Sequence, residues 1–142
     1  MIVLDASVVA KCYVAEEDSD KAIRIVSGLE KLIAPELIRV EVAAAICRRV
    51  RLGEIQPEEA LVRCKLWRQH LEEKVISMVN NAELMAEAEK LSTDLKHPVQ
   101  DCLYLALARQ RQADLVTADG VFEKKAAHSY ERFYMLADYA EF

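Results

Sequence analysis

The chain has 142 residues, of which 53% are hydrophobic, and it carries 19 Lys and Arg against 24 Asp and Glu. This length and apolar content predict a single domain over residues 1–142 with one substantial core. The formal charge of −5 disfavours a general DNA-binding protein, which needs clustered cations. No apolar run approaches the roughly 20 residues of a membrane span, and no secretory signal precedes Asp5, so we expect a soluble protein of the cytoplasm.

The N-terminal part predicts a strand followed by two helices. Met1 to Leu4 is a short β-rich apolar run, and Asp5-Ala6-Ser7 then offers capping side chains for a short helix. A second helix is predicted from Ser19 to Leu29, because its apolar residues share one helical face. Those residues are Ala22, Ile25, Val26 and Leu29.

The middle of the chain predicts a second strand and two longer helices. Leu32 to Ala34 is a short apolar run, and Pro35 stands at a plausible first helical position. The helix then predicted from Glu36 to Arg51 is rich in Ala, Ile, Val and Arg and ends before Gly53. A further helix from Pro57 to Leu71 has an apolar stripe at helical spacing, made of Ala60, Cys64, Trp67 and Leu71.

The remaining elements continue the alternation. Strands are predicted at Val75–Val79, Leu115–Thr117 and Phe133–Leu136. Helices are predicted after Asn80 or Asn81 as the cap, from Pro98 to about Arg111, and from Gly120 to Ala127. Strands that alternate with helices predict an α/β fold with three α/β/α layers around a central parallel sheet of about five strands.

The cysteines and histidines show no spacing typical of a metal or catalytic site. Cys12, Cys47, Cys64 and Cys102 lie far apart without a CxxC pair, so we interpret them as reduced core residues. The three histidines, at positions 70, 97 and 128, are isolated from one another in the sequence. The sequence gives no reason to assign them a role.

Two acids follow predicted strands. Asp5 comes directly after the first strand, and Asp119 follows Thr117 by two residues. Ligands of an open parallel sheet bind outside the carboxyl ends of its strands, so both positions are candidates for a functional site. Each acid has a simpler interpretation as well, because Asp after a strand is often a helix cap and Asp-Gly is a common turn.

Glu41 and Asp101 lie in predicted helices. The neighbours of Glu41 three and four residues away are apolar, and no Lys or Arg occupies those spacings, so its charge needs another partner. Asp101 falls in the first helical turn after Pro98, where an acid also stabilises the helix dipole. Four acids from different αβ units would repel one another at one sheet edge unless a cation held them.

Carboxylate oxygens are hard ligands, which favour Mg²⁺ or Mn²⁺ together with substrate phosphate. We therefore predict Asp5, Glu41, Asp101 and Asp119 as metal ligands and catalytic residues. Ser7 and Thr117 lie two residues from Asp5 and Asp119 and are candidates to orient a carboxylate or a water, or to make local turn hydrogen bonds.

Four segments of the sequence resemble the acidic motifs of PIN domains in order and separation. They are Val3-Leu4-Asp5-Ala6-Ser7, Val40-Glu41-Val42-Ala43-Ala44-Ala45, Asp101-Cys102-Leu103-Tyr104-Leu105-Ala106-Leu107-Ala108 and Leu115-Val116-Thr117-Ala118-Asp119. The resemblance covers nearly the whole chain, and its size is similar to that of the VapC-type toxins of toxin–antitoxin pairs. One departure is Gly120, where relatives often carry a larger polar or basic residue.

The resemblance implies a Mg²⁺- or Mn²⁺-dependent endoribonuclease with a PIN-like fold, usually a homodimer that a small antitoxin inhibits. It carries the family's acids onto Asp5, Glu41, Asp101 and Asp119, with Ser7 and Thr117 as polar helpers. Cations on the helices between Pro35 and Leu71 are candidates for an RNA path, a partner surface or simply a solvated face. They are Arg48, Arg49, Arg51, Arg63, Lys65 and Arg68.

Two other functions remain open from the residues. Asp5 closes a first strand as the nucleophile of an aspartate-dependent phosphatase would, but Ser7 stands where such a site wants a second acid. A non-catalytic protein-binding module that holds a structural metal would also use clustered acids. Assays of RNA cleavage and of small phosphoester hydrolysis distinguish these alternatives.

Overall fold

The computed structural model describes residues 1–139. Five strands form one sheet in the order β3-β2-β1-β4-β5, and every neighbouring pair is parallel. This confirms the predicted α/β fold with a parallel sheet of five strands. The strands are β1 Ile2–Leu4, β2 Leu32–Pro35, β3 Ser77–Val79, β4 Asp114–Thr117 and β5 Phe133–Met135.

Helices connect consecutive strands, as a parallel sheet requires. They are α1 Ala6–Val9, α2 Ser19–Val26, α3 Ile38–Arg51, α4 Pro57–Glu72, α5 Met85–Leu95, α6 Val99–Arg111 and α7 Gly120–Ala126. Short 3₁₀ turns occupy Ala10–Cys12, Asn81–Glu83, Ala127–Ser129 and Leu136–Asp138. Every residue of β1 and β2 is buried, and successive strand side chains point to opposite faces, so both faces of the sheet are covered.

Helix α6 forms the centre of the core. All seven residues from Cys102 to Ala108 are buried, and the helix packs against β1, β2 and β4. Such all-round burial is typical of a helix inside a domain. Because α6 is enclosed, its N-terminal turn, which contains Asp101, is held firmly at one end of the sheet.

The prediction that Pro35 opens a helix is wrong, because Pro35 is the last residue of β2 and α3 begins at Ile38. Pro35 is paired with Val79 of β3, and the Glu36 N–H donates to the Val79 carbonyl at 2.8 Å. Consecutive strand residues alternate the side toward which their N–H groups point. The nitrogen of Pro35 therefore faces β1, whose pairing with β2 has ended at Ile33, and its missing N–H leaves no bond unmade.

Two predictions of burial are also wrong. Helix α2 ends at Val26, and Leu29 is fully exposed rather than part of the packed face. Ser27 and Gly28 are weak helix formers. Their N–H groups donate to the carbonyls of Ile23 and Ile25, which completes the last turn of α2. All four cysteines are free as predicted, but Cys47 is exposed, since Val42 and Ile46 occupy the inner side of α3.

The chain adds β2 and β3 on one side of β1 and then β4 and β5 on its other side, so the order of the strands changes direction between β1 and β4. In an open α/β sheet this topological switch point creates a crevice at the carboxyl ends of the strands, where ligands bind. Asp5 follows β1 at this crevice, and its N–H donates to the Val116 carbonyl of β4 at 3.0 Å. Among residues 1–139, no helix is both long and apolar enough to cross a membrane.

Candidate metal centre

The four predicted acids meet at the switch-point crevice. Asp5 follows β1, Asp119 precedes α7, and Glu41 and Asp101 lie in the first turns of α3 and α6. All four line one open cavity of about 390 Å³, together with Ser7. The expectation that acids from separate αβ units converge on one sheet edge therefore agrees with where the structure places them.

Asp5 is the most enclosed of the acids, with 4% of its surface exposed. The hydroxyls of Ser7 and Thr117 donate to the same oxygen, Asp5 Oδ2, at 2.7 and 2.6 Å. The Asp5 side chain makes no capping bond to α1, so the simpler interpretation of this residue as a helix cap does not apply. Thr117, which is fully buried, lies behind the cavity wall and acts on Asp5 from β4.

The buried partner of Glu41 is a phenol rather than a cation. The Tyr104 hydroxyl donates to Glu41 Oε1 at 2.6 Å, which joins α6 to α3 across 63 residues of sequence. Tyr104 is fully buried, and burial raises its pKa well above the ordinary value, so the phenol keeps its proton and remains a donor. This hydrogen bond supplies part of the compensation that the sequence required for Glu41.

Asp101 is hydrogen-bonded to His97, for which the sequence alone indicated no role. His97 Nε2 lies 2.6 Å from Asp101 Oδ2, one helical turn earlier in the chain. His97 is buried, and its ring stacks on Phe122 with centroids 5.1 Å apart and planes 6° apart. A signal was available in the sequence, since His97 precedes Asp101 by four residues, but Pro98 between them obscured the helical spacing.

Asp119 caps helix α7 as well as lining the cavity. Its Oδ1 accepts hydrogen bonds from the N–H groups of Val121 at 2.9 Å and Phe122 at 3.3 Å. The capping interpretation of this residue is therefore confirmed, and its place in the cavity wall leaves the prediction of a site residue open. Gly120 is the first residue of α7, and a Cβ at this position would meet nothing within 4 Å, so the helix start leaves room for a side chain there.

The four acids share one arrangement of their oxygens. In each, one oxygen accepts hydrogen bonds from the fold: Asp5 Oδ2, Glu41 Oε1, Asp101 Oδ2 and Asp119 Oδ1. The other oxygen of each accepts no hydrogen bond from residues 1–139. The fold thus orients every carboxylate and leaves one oxygen of each for a ligand.

Burial raises the pKa of Asp5, Glu41 and Asp101, and the charges of neighbouring acids add to the rise. Burial raises the pKa of Asp5 from 3.8 to about 7, against the hydrogen bonds from Thr117 and Ser7, and the charges of Asp101 and Glu41 raise it further. Burial likewise raises the pKa of Glu41 and of Asp101, and the charge of Asp101 adds to the rise at Glu41. The charge of Asp119 adds to the rise at Asp101. Mutual repulsion of this kind is relieved by a cation.

The donor set suits Mg²⁺ or Mn²⁺ although it is not a closed cage. As the side chains stand, no three His, Cys, Asp or Glu residues between positions 1 and 139 are grouped closely enough to hold an ion. Magnesium keeps several waters and binds one or two carboxylates directly, so a pocket with a few free carboxylate oxygens fits its chemistry. The residues present are therefore compatible with a hard divalent cation.

Cations lie at the rim of the cavity, and most of them are already paired. Glu16 binds both Lys11, at 3.2 Å, and Arg49. Arg48 is exposed, lines the cavity, and makes no ion pair within residues 1–139. Of the six cations considered from the sequence, only Arg48 and Arg49 line this cavity; Arg51, Arg63, Lys65 and Arg68 do not.

Comparison with known proteins identifies relatives over most of the chain. The model of the PIN domain matches residues 2–128. Ribonuclease VapC3 of Pyrobaculum aerophilum is 34% identical over 127 residues, which cover 87% of this chain and 93% of that protein.

Two solved structures share the fold. One is a chain of a toxin-antitoxin complex from Klebsiella pneumoniae, with a TM-score of 0.67 and 12% identity over 96% of this chain and 98% of that chain. The other is Mycobacterium tuberculosis VapC20, described as a Sarcin-Ricin loop cleaving toxin, with a TM-score of 0.67 and 16% identity over 89% and 95%. At such identities these two structures establish the similarity of the fold alone.

Proposed function

Since this chain belongs to the PIN-domain family and to its VapC-type ribonucleases, we propose that Asp5, Glu41, Asp101 and Asp119 hold Mg²⁺ or Mn²⁺ and that the chain cleaves RNA phosphodiester bonds at this site. The observation that carries the proposal is the shared arrangement of the acids, each with one oxygen oriented by the fold and one left for a ligand. That arrangement is what a preorganised cation site requires.

The divalent cation, when bound, supplies positive charge that polarises a phosphodiester and stabilises the charge that develops in hydrolysis. Ser7 and Thr117 act as polar helpers, because their hydroxyls bind Asp5 Oδ2 and leave the other oxygen without a hydrogen bond from residues 1–139. Tyr104 does the same for Glu41 from inside the core. Preorganised groups of this kind need no rearrangement during the reaction.

Arg48 is the rim residue best suited to an RNA phosphate. It lines the cavity and has no acidic partner within residues 1–139, whereas Lys11 is paired with Glu16 and Arg49 with Glu16 and Glu54. One guanidinium and a metal-loaded pocket give a short local contact with the RNA backbone. This local attraction is consistent with a net charge of −5, which repels nucleic acid elsewhere.

The proposal includes the biological setting. The chain acts in the cytoplasm as the toxin of a type II toxin–antitoxin pair, forms a homodimer, and is inhibited by a small antitoxin. Similarity to a chain of a toxin-antitoxin complex and to a VapC ribonuclease supports this setting. The acidic cavity favours an antitoxin that places an Arg or Lys among the carboxylates, because a desolvated cation there replaces the metal's charge and blocks substrate.

The test is cleavage of single-stranded and looped RNAs by purified chain free of antitoxin. We expect cleavage with Mg²⁺ or Mn²⁺, none with chelator, and none by the Asp5→Asn variant. Asp114→Asn is the matched control, since Asp114 lies on β4 outside the cavity and binds Arg132 at 2.7 Å. Intact RNAs under every metal condition, or hydrolysis of a small phosphoester instead, would contradict the proposal.

A further inference from the structure

His97 occupies a defined place between α5 and α6. It follows Lys96, which ends α5 in the left-handed conformation with φ of 55°. The His97 N–H donates to the Ser92 carbonyl at 3.2 Å, and the Ser92 hydroxyl donates to the His97 carbonyl at 2.6 Å. The backbone of His97 is therefore held from both sides, and 7% of the residue is exposed.

The imidazole of His97 contacts Asp101, which lines the acidic cavity, and Phe122, which itself contacts Asp119. Its Nε2 lies 2.6 Å from Asp101 Oδ2, and its ring lies flat on Phe122. The Phe122 N–H is one of the two that bind Asp119 Oδ1. The buried ring of His97 thus contacts the carboxylate of Asp101 and also Phe122, whose backbone N–H binds Asp119.

We infer that His97 is a positioning residue of the metal centre. Its Nε2–H holds Asp101 Oδ2, so that Asp101 Oδ1 remains available to the cation. Its ring packs on Phe122 and so holds the start of α7 at a fixed position relative to Asp101. The inference rests on the proposed function, since it assigns a role toward the same centre. Hydrogen bonds to ligating carboxylates orient them, and losing such a bond typically lowers metal affinity or activity by about 10- to 100-fold.

Two variants separate the hydrogen bond from the aromatic packing. His97→Phe keeps a flat ring against Phe122 and removes the donor, while His97→Gln restores an N–H near the place of Nε2. We expect His97→Phe to raise the Mn²⁺ concentration for half-maximal thermal stabilisation about 10-fold or more and to lower kcat with KM for RNA unchanged. His97→Gln should recover most of both.

His70→Phe is the matched control. His70 also makes a short hydrogen bond, between its Nδ1 and the Tyr13 hydroxyl at 2.6 Å, but this bond joins it to none of the four acids. If His97 had only a structural role, His97→Phe and His97→Gln would lower the melting temperature. The Mn²⁺ concentration for half-maximal stabilisation would then stay unchanged, as we expect for His70→Phe. An unchanged midpoint in His97→Phe would overturn the inference.

A measurement on the unmodified protein covers the case in which His97→Phe does not fold. The chain has three histidines, so their ring signals in NMR are readily assigned by substitution. On saturation with Mg²⁺ the His97 ring signals should shift, and those of His70 and His128 should not. If Mg²⁺ binds and RNA is cleaved but the His97 ring signals do not shift, the positioning role of His97 is excluded and the proposed function stands. If the unmodified protein neither binds metal nor cleaves RNA, the proposed function fails, and this inference with it.

Discussion

At the scale of single residues, Asp5 illustrates how the proposed metal centre keeps a carboxyl group whose ionisation is made costly by burial. Its carboxylate is enclosed beside Glu41 and Asp101, and its hydrogen-bond donors within residues 1–139 are two neutral hydroxyls. Hydroxyl donors orient a carboxylate but offset only part of the cost of burying its charge. The metal-free protein therefore favours a protonated Asp5 close to neutral pH.

The stability of the metal-free protein should fall as the pH rises from about 4 to 7. The pKa of Asp5 is about 7 in the folded protein against an ordinary value of 3.8, so between these pH values the folded state holds a proton that the unfolded state has lost. Stability then decreases with rising pH through that window. Melting temperatures in chelator should show a drop of several degrees.

The Asp5→Asn variant isolates this effect. Asparagine keeps an oxygen for the hydroxyls of Ser7 and Thr117 but does not titrate, so its melting temperature should depend less on pH and exceed that of the unmodified protein at pH 8 without metal. An Asp5→Asn protein that melts far lower in chelator would instead show that the charged carboxylate stabilises the fold.

At the scale of elements, helix α7 depends on a residue assigned to the site. Asp119→Ala removes the bonds to the Val121 and Phe122 N–H groups and should destabilise the protein by about 1 kcal/mol. Asp119→Asn keeps an oxygen for those bonds and should remain close to the original stability. Urea unfolding compares the two, and RNA assays should find both inactive. Equal stability of Ala and Asn would argue against the cap.

The elements were largely predictable, and so were Ser7 and Thr117 as candidates to orient a carboxylate, but Tyr104 and His97 were not predicted as partners of the acids. Apolar runs and helical periodicity located the strands and helices, and strand ends located Asp5 and Asp119. Pro35 misled the prediction because a proline at a strand end and at a helix start have the same local sequence. The donors to Asp5 and Glu41 come from Thr117 and Tyr104, which are 112 and 63 residues away, so only the folded sheet brings them into contact.

At the scale of the whole molecule, binding of a cation should be measurable as a gain in global stability. With Mn²⁺ at ten times its dissociation constant, a single site stabilises the folded state by roughly 1.4 kcal/mol, or about 3 to 5 °C for a domain of this size. Differential scanning calorimetry of the unmodified protein and of Asp5→Asn gives the comparison. The variant should lose most of the shift, whereas Asp114→Asn should keep it; a full shift in Asp5→Asn would exclude Asp5 as a ligand.

The strand order has a consequence for how the protein is made. β1 is synthesised well before its neighbour β4 and the acid that follows, Asp119. At about 5–20 residues per second, roughly ten seconds separate Asp5 from Asp119. During that time Asp5 has neither Thr117 nor the far wall of its crevice. We therefore expect that a nascent chain cannot cleave its own messenger RNA before β4 and Asp119 have been synthesised.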